Sequence, residues 1–584
     1  LLLLGCDPAI DWDAAPRPAD HQPPPGSQGL ALSGPVAVFS GQPHTWQVTA
    51  DDLEEGDEVV LAWGGAIGAG PCPFNRLVGG HLCVDIHDPA HPIAATTALR
   101  DASGEVVAVF EVAVPGSSRD GVYLQAMSVK GLDSATTNTL YVEMLRGPRC
   151  DASAGPFGGG TGVETDPFLI CTRDQLAALS GVNGVHARLV SDLDLTDTGF
   201  DGLTLGSNSV FDGSGHAIRG YDNSGALFSQ IQSSSTIRNL RVLGARISRS
   251  GGGDVGILVG FMRDFARIEN VHVQGEVRQF YTGSGGTSYA GGVVGNAAQP
   301  TIVDVTADVE VMSQNAGGLV GRLNGGTLTR VHTEGRIVGA GNGTKAGGVV
   351  AELVTSSGDP TIRDSSSAAT VIGGTSGAGG FIAALGRPGI PSHITIADCF
   401  ATGDVHGGRY VGGFVGSFTG GTIERSASYG DVTGAAEGVG GFAGTMESQG
   451  PIARDVVSTG LVHGSVRPND CSVGGLVGRV ASGEVVQGIV VPTVVWMNGV
   501  GSHDLIGGAC HGPSNRTTDV YGIEVVPGGE LDTLVDVSGA PEDPASYPAL
   551  QFVDTWVVPT ANPFTELRIP VPQSFCGRQG ITCP

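Results

Sequence analysis

Two stretches of this chain set metal-binding residue types at close spacing. Asp85-x-His87-Asp88-x-x-His91 mixes imidazoles with carboxylates, a donor set that suits zinc or manganese. Asp192-x-Asp194-x-x-Asp197 spaces carboxylates as along one face of a strand, in the manner of a calcium loop. The second run lacks the glycine at the sixth position and the closing glutamate, and Pro89 and Pro92 break the first. A polar loop and an early strand are the plainer readings. No metal ligand and no cofactor are assigned, with calcium kept as the alternative cation.

Nucleophiles and proton carriers are equally sparse. Cys399 and His216 stand alone in sequence, and a reactive thiolate needs a base and exposure beside it. Neither an HExxH zinc motif nor a GxSxG nucleophile elbow occurs. Sugar binding needs aromatic platforms, yet Tyr410, Tyr429 and Trp496 are scattered. Only Phe280, Tyr281 and Tyr289 fall together, in a loop-like insertion, so Tyr281 and Tyr289 are the candidate ligand contacts. The catalytic list is empty.

What must position these residues is a glycine-flanked apolar tetrad that keeps returning. It reads GILVG at Gly256–Gly260, GGVVG at Gly291–Gly295, GGLVG at Gly317–Gly321 and GGVVA at Gly347–Ala351. It continues as GGFIA at Gly379–Ala383, GGFVG at Gly412–Gly416, GGFAG at Gly440–Gly444 and GGLVG at Gly474–Gly478. The step of 26 to 35 residues lies in the solenoid range, where each repeat buries its face only against its neighbours. Between tetrads, runs such as Val303–Val311 alternate apolar and polar residues, the period of a strand with one buried face. Glycine pairs suit corners that need positive φ or close backbone approach. Nine or so coils at about 4.8 Å each give a stack on the order of 45 Å long.

Counting three residues past the first apolar residue of each alternating run gives Leu240, Val271, Val331, Ser365, Cys399 and Ser426. These read as inward positions, which makes Cys399 a small core hydrophobe. The outward series reads Glu269, Asp304, Thr329, Arg363, Ala397 and Glu424, with no acid–base pair repeating in register.

Composition agrees with many short strands and tight turns. Glycine is 96 of 584 residues while 40 % remain hydrophobic, whereas disordered chains lose their apolar residues. The net charge of −27 repels phosphate backbones, so nucleic acid is not an expected partner. Ten cysteines point to an oxidising compartment. Nearest-neighbour pairing would join Cys72–Cys83, Cys150–Cys171, Cys471–Cys510 and Cys576–Cys583, although spacing leaves the connectivity open.

The domain reading is all-β. Residues 35–146 read as an Ig-like β-sandwich, with strand-like runs at Val36–Phe39, Thr45–Val48, Glu58–Trp63, Val106–Val114, Val122–Ser128 and Thr139–Leu145. A glycine-rich linker follows at 147–165. The cap and first coil of the solenoid take 166–250, with a short helix at Asp174–Ser180 capped by Asp174. Residues 251–500 form the repeats, and the proline-rich 501–584 reads as a second cap pinned by Cys576–Cys583.

The chain starts at LLLLGC, and Leu3-Leu4-Gly5-Cys6 resembles the lipobox of bacterial lipoproteins, which implies a signal remnant at 1–6 and lipidation of Cys6. The Pro/Ala-rich stretch 7–34 then reads as a tether. Phe211-Asp-Gly-Ser-Gly-His-Ala-Ile218 and the fragments TIRNLRVLGARI, RIENVHVQGEV, TLTRVHTEGRI, TIADCFATGDV and TIERSASYGDV resemble the GLUG-repeat family over about 166–500. That resemblance implies a right-handed parallel β-helix and places His216 in its opening turn. The family includes adhesin-like surface proteins and non-catalytic regions of IgA1-cleaving metallopeptidases. Together these features lead us to expect a lipid-anchored envelope or surface protein, on the outer membrane, the cell surface or the periplasmic face. Its partners would be the membrane and a surface glycan or protein, and its work adhesion without turnover. A β-helix polysaccharide lyase or glycoside hydrolase, and a purely structural spacer, are the alternatives.

Overall fold

The computed structural model describes residues 150–490 except 154, 281–287, 342–343, 357, 387–392, 449 and 465–472, with strands and turns between 31 and 145 and short pieces beyond 494. The chain divides into two compact units, 1–147 and 148–584. Cys6 and residues 7–30 of the expected tether lie outside the described residues, as do Cys72, Cys83, Cys471 and Cys510.

The first unit is a β-sandwich, antiparallel except where Ala37–Phe39 pairs parallel to Leu140–Leu145. One sheet pairs Ala31–Ser33, Pro43–Thr49, Val106–Ala113 and Leu99–Arg100. The other runs through Ala37–Phe39, Leu140–Leu145, Gly121–Lys130, Glu58–Gly64 and His91–Thr97. Trp46, Val48, Val59, Leu61, Phe110, Leu124 and Ala126 are buried, as alternating positions of facing strands should be. Leu32 is buried too, so the sandwich begins inside the stretch that composition assigned to the tether.

The second unit is a parallel β-solenoid. A long sheet runs from Phe168–Ile170 to Val535–Asp536. A second sheet takes the back half of each tetrad, from Leu203–Leu205 to Val477–Val480, and is called the tetrad sheet below. A short sheet, from Val255–Gly256 to Val473–Gly474, leads into each tetrad. The tetrad sheet holds ten described strands, so its nine intervals of about 4.8 Å span about 43 Å.

The tetrad glycines serve close approach, not positive φ. None of the paired glycines has a left-handed φ. A Cβ on Gly317 would lie 2.0 Å from the Val320 carbonyl oxygen across the corner, and one on Gly318 would lie 2.0 Å from the Gly348 oxygen of the next coil. The second contact recurs at each step from Gly292 to Gly441. Beside each pair stands a core ladder, with Phe381, Phe414 and Phe442 stacked at centroid separations of 4.8 and 5.0 Å.

Left-handed backbone falls instead on polar residues of the long sheet. Asn239, Asn270, Asp304, Arg330, Asp364, Asp398, Arg425, Asp455 and Gln487 all have φ between 45° and 59°. Asn and Asp tolerate this region best, and each residue here bends its strand outward. The bend shifts the alternation by one. Ile302 and Val305 both point inward, three residues apart, and regular alternation resumes at Val305. Asp304 therefore does not stand with Glu269, as the sequence suggested. The outward row is Glu269, Val303, Thr329, Arg363, Ala397 and Glu424, and Asp304 belongs to the corner.

The cap also departs from expectation. The helix is Arg173–Ala178, and its N-cap is Thr172, not Asp174. Thr172 Oγ1 accepts from the Gln175 amide, and Gln175 Oε1 accepts from the Thr172 amide, which makes a capping box. Gln175 also donates to the Asp151 carbonyl, beside the Cys150–Cys171 disulfide. The glycine-rich stretch is part of this cap rather than a linker. Gly158 and Gly159 exchange backbone hydrogen bonds with Leu169, and Phe157 stacks on Phe168. Thr172→Ala should cost about 1 kcal/mol, read as a lower thermal midpoint.

Part of the described tail continues the stack, with Arg516–Gly522 and Val535–Asp536 as the last strands of the long sheet, and part lies along it. Phe575 rests on Phe400 with centroids 5.2 Å apart, and Cys576–Cys583 closes beside it. Phe400 is five rungs in from the last one in its row, through Ala427, Val457, Ile489 and Tyr521 to Val535.

Candidate functional site

The richest polar site in the described residues forms where the short and tetrad sheets meet. Outward positions of the short sheet place Tyr289, Asn315 and Lys345 in one row. Those of the tetrad sheet place Asn296, Arg322 and Glu352 in another. Glu352, 8 % exposed, is the hub. Tyr289 Oη donates to its Oε2 at 2.5 Å and Lys345 Nζ to its Oε1 at 2.6 Å, while Arg322 Nε stands 3.5 Å from Oε2. The Arg322 guanidinium also lies 5.4 Å from the Tyr289 ring centre. Burial alone would raise the Glu352 carboxyl, but Lys345, Tyr289 and Arg322 together hold it below the ordinary glutamate range. Next to it, burial raises the Asp254 carboxyl, against a 2.8 Å hydrogen bond from Asn296.

This arrangement fixes charges rather than freeing them. Glu352 has a donor on each oxygen, and Tyr289 spends its proton on that carboxylate. A general base works best with a pKa near the operating pH, whereas this carboxyl is held below the ordinary range. Tyr289, expected at a ligand surface, is therefore buried as a donor inside the cluster. Tyr281 lies outside the described residues. The cluster was within reach of the sequence, because the residue after each tetrad gives Asn296, Arg322 and Glu352 in successive repeats.

The other candidates separate. Asp192 Oδ2 meets Arg219 at 3.2 Å, and its Oδ1 accepts from the Ala217 amide at 2.9 Å and lies 3.4 Å from His216 Nδ1. Burial lowers the His216 pKa despite Asp192, so this imidazole is neutral near pH 7. Asp194 turns to the Thr196 amide, and Asp197 sits at a left-handed turn. Among the described residues no three metal-binding side chains converge. Asp85 and Asp88 lie outside those residues, and only strand assignments are described for His87 and His91.

Cys399 is buried, in the inward row with Leu240, Val271, Val331, Ser365 and Ser426. Its thiol lies 3.1 Å from the Ala397 carbonyl oxygen. Of the expected disulfides, Cys150–Cys171 and Cys576–Cys583 are formed. Among the described residues the aromatic side chains make no outer ladder. Tyr410 is half-buried under Arg409, Tyr429 is buried against Phe400, and Trp496 has strand placement only. Phe265 and Phe280 are exposed, at opposite ends of the long-sheet strand Arg267–Gln279.

No protein-family model matches this chain, and no curated protein matches it. Among solved structures an IgA1 protease aligns over 85 % of this chain at 11 % identity, with a TM-score of 0.28. The chain spans 28 % of that protein's length, and an overlap this loose carries no argument about fold or activity.

Proposed function

We propose that this chain is a non-enzymatic scaffold of the GLUG-repeat type, held at the cell envelope or surface through lipid on Cys6. Its solenoid offers side rows and loops to a surface glycan or protein. The observation that supports a scaffold is the outward row of the long sheet. Glu269, Val303, Thr329, Arg363, Ala397 and Glu424 change character at every rung, where polysaccharide-cleaving chemistry needs an acid and a base held together.

The enzyme reading has one specific foothold, the neighbouring corner residues Asp364 and Asp398. Arg425 grips Asp398 at 2.9 and 3.0 Å, which suits corner support better than proton transfer. Protease treatment of intact cells, with Cys6→Ser as control, tests display and anchoring. We expect cleavage of the wild type on whole cells and release of the Cys6→Ser chain from the membrane fraction. Turnover of pectin, alginate or a glycosaminoglycan that Asp398→Asn abolishes would overturn the scaffold reading.

A further inference from the structure

One exposed corner of the solenoid carries an aromatic ring on strained backbone. The Ala266 amide donates to the Arg263 carbonyl at 3.1 Å, which closes a turn with Asp264 and Phe265 at its centre. Phe265 has a φ of 62°, a region that bulky side chains rarely adopt. The matching turn one coil earlier, closed from Ser235 to Gln232, puts Ser234 there instead, at 60°. Phe265 is also 68 % exposed, more than any other large apolar side chain among the described residues. Neither backbone preference nor burial accounts for a phenylalanine here, and outliers of this kind gather where ligands bind.

The strand before this turn supplies the rest of a patch. Its outward row runs Gln230, Phe261, Asn296 and Arg322 on successive coils, all half-buried. The exposed Arg263 lies with its guanidinium 5.6 Å from the Phe261 ring centre, as Arg322 lies over Tyr289. Among the described residues Arg263 has no ion-pair partner, and the Glu352 that Arg322 approaches is already held by Lys345. Planar amides carry donor and acceptor side by side, which neighbouring sugar hydroxyls require. An aromatic face takes the apolar face of a sugar ring, and a guanidinium fork takes a carboxylate. A protein partner would call for a contiguous apolar centre, whereas Phe261 has an amide on either side of it in its row.

We propose that this patch binds an acidic polysaccharide, with Phe261 and Phe265 against its sugar rings and Arg263 and Arg322 on its uronate carboxylates. The two arginines stand two coils apart, about 10 Å along the axis, so they meet carboxylates on separate residues of one polysaccharide chain. The proposal rests on the scaffold reading above and gives its glycan partner a site and a chemical class.

The test is calorimetric titration of the full chain with polygalacturonate, and with dextran as the uncharged control. The wild type should bind polygalacturonate about tenfold more tightly than dextran. Arg263→Ala should bind polygalacturonate about tenfold more weakly, with an unchanged denaturant midpoint, because this exposed side chain makes no ion pair in the fold. Phe265→Gly should also lose about tenfold in binding, while its midpoint holds or rises, because glycine adopts this φ without strain. A merely structural role for Phe265 would leave binding unmoved. Wild-type affinity in both variants would overturn the patch, and any glycan binding by the scaffold would then lie on another face. Equal affinity for dextran would overturn the pairing of arginine with uronate. No binding of polygalacturonate by the wild type would overturn the acidic ligand class, and the display and anchoring measured on cells would stand apart from that result.

Discussion

Gly348→Ala should destabilise the solenoid by about 3 kcal/mol, seen as a lower denaturant midpoint. The added Cβ would lie 1.9 Å from the Gly380 carbonyl oxygen and 2.2 Å from Ser367 Oγ. The serine can rotate away. The carbonyl cannot, because it sits on the next coil, where the Phe381 and Phe414 main chains are hydrogen-bonded in turn. Relief would require the coils to part, and every later coil stacks on that spacing. Gly251→Ala is the control. A Cβ there meets nothing within 4 Å, and its φ is not left-handed, so its midpoint should stay within about 0.5 kcal/mol of wild type.

Glu352→Gln should cost about 3 kcal/mol at neutral pH, because Lys345 and Arg322 would lose the buried carboxylate they share. The dependence on pH gives the test its sign. The fold lowers the Glu352 pKa, so its carboxylate contributes stability that is full above the ordinary glutamate value of 4.5. That contribution is lost as pH falls through the lower folded value. The gap between wild type and Glu352→Gln should therefore be widest at neutral pH and close in acid. A constant gap across that range would assign the loss to packing instead of charge.

Much of the fold was legible because its signals are short and periodic. The tetrads predicted one short-sheet strand each, and the inward row through Cys399 held at every position counted. The six strand-like runs of the sandwich all reappear as strands. What escaped were features that depend on neighbours in space. The alternation through Val303–Val311 looks unbroken in one dimension, yet the left-handed Asp304 flips its phase. The recurrent Asn or Asp of the repeat was visible, but its meaning as a corner was not. Asp174 is a good capping residue type, but Thr172 with Gln175 closes a reciprocal pair that Asp174 does not. Glycines at 158–162 look like a linker by composition, while in the fold a Cβ on Gly160 would collide with the Pro167 carbonyl at 1.9 Å. The Glu352 cluster stayed hidden because its partners come from three coils.

The corner row restricts how a chain of this kind can change length. Asp304 receives Arg330 at 2.6 and 2.8 Å, and the charge of Asp364 acts on Arg330 from the opposite side. Asp398 and Arg425 begin the same sequence of signs again. Recombination that dropped the Arg330 repeat alone would preserve the tetrads and the apolar interior. It would also bring three carboxylates, Asp304, Asp364 and Asp398, onto consecutive rungs. Growth or loss by groups of three repeats keeps the minus–plus–minus order that runs from Asp304 to Asp364 and again from Asp398 to Asp455, so the heritable module of this solenoid is larger than one turn.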